Sequence, residues 1–298
     1  MPTVGEIVKK TTVFFHDKGI SSARLDSELL IARALGWERL QVFLKFDYPL
    51  SDEEMEKCRD LVRRRSKGEP VAYILGEKGF YEHTFEVTPA TLIPRPETEM
   101  LVERAIEFLV SSEAAKASAR QSSLAIDLGC GTGCIGLSIA AAVPTAKVIL
   151  VDFSAEALEV AKRNAVRLGV EDRCEFRHAD ASLVDERLAD LSGLADVVVA
   201  NPPYIDPADE RIEKNVRQFE PHSALFAGTP GQKGLEQIES WSKTAVSLTL
   251  KTGCAIFEIG DGQGAEALQF FKDAGWAELE LVRDHSDRER MIVGVHHG

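Results

Sequence analysis

Nothing in this 298-residue sequence is apolar for the roughly 18 consecutive residues that a membrane-spanning helix needs. The first residues, MPTVGEIVKKTTVFFHDKG, are broken by charge after a few apolar positions, which excludes a secretory signal and leaves the expectation of a cytoplasmic protein. Cysteine is scarce and odd in number, at five: Cys58, Cys130, Cys134, Cys174 and Cys254. Only Cys130 and Cys134 lie close together, with no second pair or nearby histidine to complete a zinc tetrad, so reduced structural thiols and no metal are expected. A cationic excess is missing as well. The formal net charge is −13, and residues 1–90 hold 14 Lys/Arg against 15 Asp/Glu, so almost all of the deficit falls on residues 91–298. A protein that grips duplex DNA needs cations to displace phosphate counterions, and an acidic second half disfavours that function. Disorder is excluded by composition, with 44% hydrophobic and 28% charged residues.

What is present divides the chain into parts. Residues 1–70 read as a small helical domain. Val4, Ile7, Val8, Val13 and Phe14 suggest one amphipathic stripe; Leu25, Leu29, Leu30, Ala32, Arg33 and Leu35 suggest another. Ser21 or Ser22 would cap the second helix and Gly36 would end it. Ser51-Asp52-Glu53-Glu54 opens a third by the capping-box pattern. That helix runs out in Arg63-Arg64-Arg65-Ser66-Lys67, cations suited either to a helix C-terminus or to RNA. Residues 71–100 form a linker: Phe80–Val87 alternates as a strand or hairpin, and Pro94 and Pro96 hold the chain extended before a new helix. Ser111–Ser123 is expected as a surface connection. Residues 101–298 form the third part. From Leu124 onward, apolar strands alternate with helical patterns, and this dictates an α/β fold with a parallel sheet covered on both faces. The strand candidates are Leu124–Leu128, Lys147–Val151, Cys174–His178, Asp196–Ala200, Cys254–Ile259, Ala277–Arg283 and Arg290–Val295. No helix separates the last two, so they are expected to pair as an antiparallel hairpin.

Two constellations carry chemistry. Asp127-Leu128-Gly129-Cys130-Gly131-Thr132-Gly133 lies between a strand and a helix, where glycines permit a tight turn and close approach of a ligand. Asp152 ends the next strand and could accept the two hydroxyls of a ribose; it is expected to face solvent in the empty site. Asp180 follows the third strand, beside the place of an adenine edge. Together these indicate a nucleoside cofactor. The third glycine of a dinucleotide loop is out of place, with Cys134 at its position. Asn201-Pro202-Pro203-Tyr204, after the fourth strand, faces the same crevice and decides for S-adenosyl-L-methionine. The Asn201 side-chain oxygen and the Pro202 carbonyl can each accept an N–H from a planar –NH2 group, aligning a weakly nucleophilic nitrogen with a sulfonium methyl. Tyr204 can wall or stack on the flat group.

On LIPRPETE (92–99), DLGCGTG (127–133), NPPYI (201–205), FEP (219–221), FEIGDGQG (257–264) and DHSDRERMIVG (284–294), the chain resembles the PrmC/HemK family of protein-glutamine N5-methyltransferases. ARLDSELLIARALG (23–36) resembles that family's substrate-recruiting domain, so the likeness runs nearly end to end. It implies a seven-stranded, Rossmann-like class I methyltransferase domain, with Gly129, Cys130, Gly131, Thr132, Gly133, Asp152, Asp180, Ala181 and Asn201 around S-adenosyl-L-methionine. It also implies that Asn201, Pro202, Pro203 and Tyr204 hold the glutamine of a Gly-Gly-Gln motif in a class I peptide chain release factor, with no nucleic acid or membrane required. Arg95, Glu97 and Glu99 would either brace the rim or form ordinary junction salt bridges. Ala181 replaces an aromatic found in some members, and Ala227 and Asp287 stand where glycine is usual. An amino-methyltransferase acting on adenine N6 in nucleic acid is the alternative, and a non-catalytic cofactor-binding adaptor a third reading.

Overall fold

A computed structural model describes residues 1–111 and 122–296, so the connection expected at Ser111–Ser123 falls almost wholly outside the described residues. The chain forms two compact units, Met1–Glu77 with Glu213–Phe219, and Lys78–Ile212 with Glu220–Gly298. Among the described residues no helix is long and apolar enough to cross a membrane.

The first unit is helical: Val4–Asp17, Ala23–Leu35, Arg39–Leu44, Asp52–Ser66, Val71–Leu75 and Lys214–Phe219. Thr3 with Glu6 and Ser51 with Glu54 form reciprocal capping boxes, which satisfy the first free N–H groups of their helices. Ser22 stands at the N-cap of the second helix but makes no side-chain cap bond, and Gly36 ends that helix in the left-handed region. The buried stripe of the first helix is Val4, Ile7, Val8, Thr11 and Phe15. Val13 and Phe14, expected inside, are exposed, because an 11-residue step from Val4 lands on Phe15. In the second helix Leu25 is exposed, while Asp26 and Glu28 are buried as ion-pair partners. Asp26 accepts from Arg65 at 2.7 Å; Glu28 accepts from Arg24 at 2.9 Å and from Arg39 at 2.7 Å. Arg64 pairs with Glu69, so much of the basic run is committed inside this unit.

The second unit opens with a two-stranded sheet, β1 (Glu77–Phe80) and β2 (His83–Glu86). Its main sheet holds β3 (Leu124–Leu128), β4 (Lys147–Asp152), β5 (Cys174–His178), β6 (Ala195–Ala200), β7 (Thr249–Glu258), β8 (Glu278–Arg283) and β9 (Glu289–Val295). The spatial order is β5-β4-β3-β6-β7-β9-β8. The first five are parallel, and β9 runs antiparallel to both β7 and β8, as the missing helix between the last two strands predicts. Alternate strand residues feed two cores. Val148, Leu150, Val197, Val199 and Ile256 face one layer; Ile126, Leu128, Val151, Val198 and Phe257 face the other. Each large side chain so buried contributes roughly 1.5–3 kcal/mol.

Register is what positions the site. Leu128 pairs with Ala200, and Ala200 with Phe257. Gly129, Asn201 and Glu258 therefore leave three adjacent strands at one level, on the carboxyl edge where open parallel sheets bind ligands. Asp152 pairs with His178, which brings Asp180 to the same edge.

Candidate active site

Gly129, Gly131 and Gly133 all have left-handed backbones, with φ of 69°, 55° and 78°. At Gly129 the requirement is double, since a Cβ there would also lie 2.5 Å from Cη2 of Trp241. At Gly131 a Cβ would meet nothing within 4 Å. The Gly129 and Cys130 N–H groups both donate to the Val151 carbonyl, at 2.8 and 3.0 Å, tying the turn to the end of β4. Asp152 is not solvent-facing as expected from sequence: it is 6% exposed. Its Oδ2 accepts the Gly131 N–H and its Oδ1 the Ser154 N–H, both at 2.8 Å. Burial pushes its carboxyl above the usual range, and these backbone donors oppose the rise.

Beneath the turn lies Asp127, fully buried. Its Oδ2 accepts the Gly136 N–H at 2.9 Å, and its Oδ1 has no hydrogen-bond partner among the described residues. Burial pushes this carboxyl up to about 7, against the Gly136 N–H and with help from the Asp152 charge. The helix Cys134–Ala142 begins at Gly133. Asn164, also buried, donates to the Thr132 carbonyl at 2.9 Å and accepts the Glu86 N–H at 2.7 Å, bracing the loop against β2. All five cysteines are free. Burial raises the Cys130 thiol far and the Cys134 thiol to about 12, so both pack as neutral groups.

A cavity of about 360 Å³ opens above this turn. Gly129–Thr132, Asp152, Asp180, Ala181, Asn201 and Pro203 line it, bringing together most of the residues picked out from sequence. Gly133, Pro202 and Tyr204 are not among its lining residues. Sequence reasoning missed Phe153, Thr98, Ser182, Gln237 and Trp241, which also line it. Phe153 is 56% exposed beside Asp152, and the Trp241 indole N–H donates to Ser182 Oγ at 3.2 Å. The signal for Phe153 was its place directly after the strand-ending acid; Trp241 sits on a helix far along the chain and left none.

The Asn-Pro-Pro-Tyr segment is held from behind. Asn201 Nδ2 donates to Thr98 Oγ1 at 3.1 Å, and Thr98 Oγ1 donates to Glu258 Oε2 at 2.6 Å. The Tyr204 hydroxyl donates to Glu258 Oε1 at 2.9 Å. Burial raises the Glu258 carboxyl, while both hydroxyls and the Arg290 charge draw it down. The Tyr204 hydroxyl is pushed well above its ordinary value by burial and by Glu258. Gln263 fixes the turn further, donating to the carbonyls of Tyr204 at 2.9 Å and Lys233 at 2.7 Å. On the rim, Arg95 pairs with buried Glu220, which also accepts the Ile93 N–H at 3.1 Å, and Glu99 accepts the Tyr81 N–H at 2.9 Å.

Known proteins match this architecture along its length. Residues 6–76 fit the PrmC N-terminal domain, and residues 121–275 fit a methyltransferase domain. A release factor glutamine methyltransferase of Chlorobaculum tepidum is 39% identical over 97% of this chain and 96% of its own. That of Geobacter sulfurreducens is 34% identical over 98% and 96%, and that of Vibrio cholerae 34% identical over 98% and 96%. The chain belongs to the release factor glutamine methyltransferase family. Among solved structures, the hMettl16 catalytic domain, crystallised with a MAT2A 3′UTR hairpin, shares the fold with a TM-score of 0.51 at 13% identity, covering 83% of each chain.

Asp287 lies in the bend between β8 and β9, and Ala227 directly follows Phe226, which forms a bridge with Ile205. Asp287 takes φ of 60°, a left-handed conformation that aspartate tolerates better than most residues. Ala227 is buried, and its N–H donates to the Ile205 carbonyl at 3.0 Å.

Proposed function

We propose that this chain transfers the methyl group of S-adenosyl-L-methionine to the side-chain amide nitrogen, N5, of the glutamine in the Gly-Gly-Gln motif of a class I peptide chain release factor, and so tunes translation termination. The observation that carries this reading is that one cavity is walled both by the glycine turn with Asp152 and by Asn201 with Pro203. A nucleoside cofactor and a planar amide would share that chamber.

The residues present fit such a cofactor. Gly131 leaves open space where a side chain would otherwise stand. Gln237 contributes to the lining and has a buried Oε1 with no hydrogen-bond partner among the described residues, an acceptor suited to a ligand N–H. Gly129–Thr132 would follow the cofactor's backbone-facing side, Asp152 its ribose, and Asp180–Ala181 its adenine edge. When bound, S-adenosyl-L-methionine supplies an electrophilic methyl on a sulfonium.

The chain's own part is alignment. An amide nitrogen is a poor nucleophile because its lone pair is delocalised into the carbonyl. Asn201 Oδ1 and the Pro202 carbonyl would accept its two N–H bonds, favouring the pyramidal, positively charged nitrogen of the transition state. Proline at 202 offers a carbonyl without a competing donor. Alignment of this kind supplies up to ~7–11 kcal/mol without a strong base. Residues 1–70 would recruit the release factor, a role supported by the match of residues 6–76 to the family's N-terminal domain. Adenine N6 is also a planar amine, but the relatives and the acidic second half support a protein substrate.

Mass spectrometry of a Gly-Gly-Gln release factor, after incubation with the enzyme and labelled cofactor, should find one methyl on the glutamine. A parallel adenine-containing oligonucleotide should stay unlabelled, and the reverse pattern would move the assignment to nucleic acid. Asn201→Ala should slow single-turnover methylation by the order of 10²–10³-fold while the protein stays folded. A parental rate in folded Asn201→Ala removes the amide clamp.

A further inference from the structure

We propose that Thr98 is a positioning residue for methyl transfer: held as a hydrogen donor by Glu258, its hydroxyl compels Asn201 to turn its amide oxygen toward the reacting nitrogen. This rests on the reading of Asn201 as the clamp for a substrate –NH2 group.

The geometry is a directed chain of hydrogen bonds. Glu258 is 1% exposed, and its two oxygens are each taken by a hydroxyl, Thr98 on Oε2 and Tyr204 on Oε1. Thr98 Oγ1 carries a single hydrogen, and it is given to Glu258 Oε2 at 2.6 Å. What Thr98 offers Asn201 is therefore a lone pair, and the Asn201 –NH2 fills it at 3.1 Å. A flipped amide would set Asn201 Oδ1 against Thr98 Oγ1 with no hydrogen between them, leaving two acceptors face to face in a site where Thr98 is 2% exposed. Such an unmatched buried pair is strongly disfavoured. The orientation matters because the two amide edges do opposite things. Oxygen outward accepts from a substrate N–H; –NH2 outward would oppose it donor to donor. The three residues meet because Asn201 and Glu258 follow paired positions on β6 and β7, while the turn Pro96–Thr98 carries its hydroxyl to both.

Thr98→Val keeps shape and removes both the donor and the lone pair; Thr98→Ser keeps both. A double-mutant cycle combines Thr98→Val with Asn201→Ala, reading single-turnover methylation of a Gly-Gly-Gln release factor, cofactor affinity by calorimetry, and thermal unfolding. Thr98→Val should slow turnover roughly ten-fold with little change in cofactor affinity, and Thr98→Ser should restore the parental rate. In the Asn201→Ala background the same replacement should cost almost nothing, because the group it orients is gone. Thr98→Ala answers the same question should the valine variant not fold. A parental rate in Thr98→Val, or equal slowing in both backgrounds, overturns the positioning role while leaving the clamp intact. A parental rate in Asn201→Ala alone overturns the clamp and the relay together.

Discussion

The Asp152 carboxylate closes the glycine turn from a position 21 residues along the chain, accepting the Gly131 N–H on Oδ2 at 2.8 Å. Its other oxygen is held equally firmly by the Ser154 N–H. A side chain proposed to hold a ribose is thus also part of the scaffold, and its conformation is set by these two backbone donors.

Asp152→Ala is accordingly predicted to do two things. It leaves the Gly131 and Ser154 N–H groups without their acceptor, at about 1.5–3 kcal/mol for a charged hydrogen bond, and should lower the unfolding temperature. It should also weaken S-adenosyl-L-methionine binding. Asp152→Asn, which keeps one acceptor oxygen, should recover part of the stability and less of the affinity. Calorimetry giving the parental affinity in Asp152→Ala would remove the ribose assignment; an unchanged unfolding temperature would deny the residue its structural role.

Much of this was legible beforehand because strand and helix periods are local. The strands Leu124–Leu128 and Cys174–His178 begin and end as their patterns predict, and the parallel core follows from the alternation of apolar strands with helices. The glycine turn and the Asn-Pro-Pro-Tyr segment announced themselves by composition. Other features depend on partners far away in sequence. Glu28 is buried only because Arg24 and Arg39 reach it, and a stripe of apolar letters could not reveal an acid inside. Thr98 and Glu258 are 160 residues apart; the register of β6 with β7 sets Glu258 near Asn201, and the turn Pro96–Thr98 brings the Thr98 hydroxyl to both. Asp152 is buried although its place at a strand end predicts exposure, because the sequence carries no mark of the Gly131 and Ser154 N–H groups folded over it.

Gly129→Ala tests the packing behind the turn. The new methyl would approach Trp241 Cη2 to 2.5 Å on a backbone with φ of 69°, so indole and turn must both shift. Left-handed strain alone costs a non-glycine residue roughly 1–2 kcal/mol. The prediction is a lower unfolding temperature, weaker cofactor binding, and a changed fluorescence spectrum from Trp241, whose N–H bond to Ser182 would be disturbed. Trp241→Leu combined with Gly129→Ala should recover part of the lost stability, because the clash is relieved and only the strain remains. No recovery would mean that the indole is not what confines this position.

Asp127 gives a pH signature of opposite sign to that of a salt-bridged acid. Its carboxyl is pushed up to about 7 in the folded chain, foremost by burial. In the unfolded chain it titrates near the ordinary aspartate value, about 3.9. Between these two values the folded state holds a proton that the unfolded state has released. Stability from this residue is therefore fully present below the unfolded value and is lost as pH rises through about 7. Asp127→Asn keeps an oxygen for the Gly136 N–H and removes the titration. Because all other groups are common to both proteins, the difference in unfolding free energy between parent and variant isolates this one. That difference should move in favour of Asp127→Asn by a few kcal/mol from about pH 4 to about pH 7, and then level off once the parent is ionised in both states. Chemical denaturation at a series of pH values measures it directly. A flat difference would mean that Asp127 ionises normally in the fold, and a slope of the other sign would require a buried positive partner for its unpaired Oδ1.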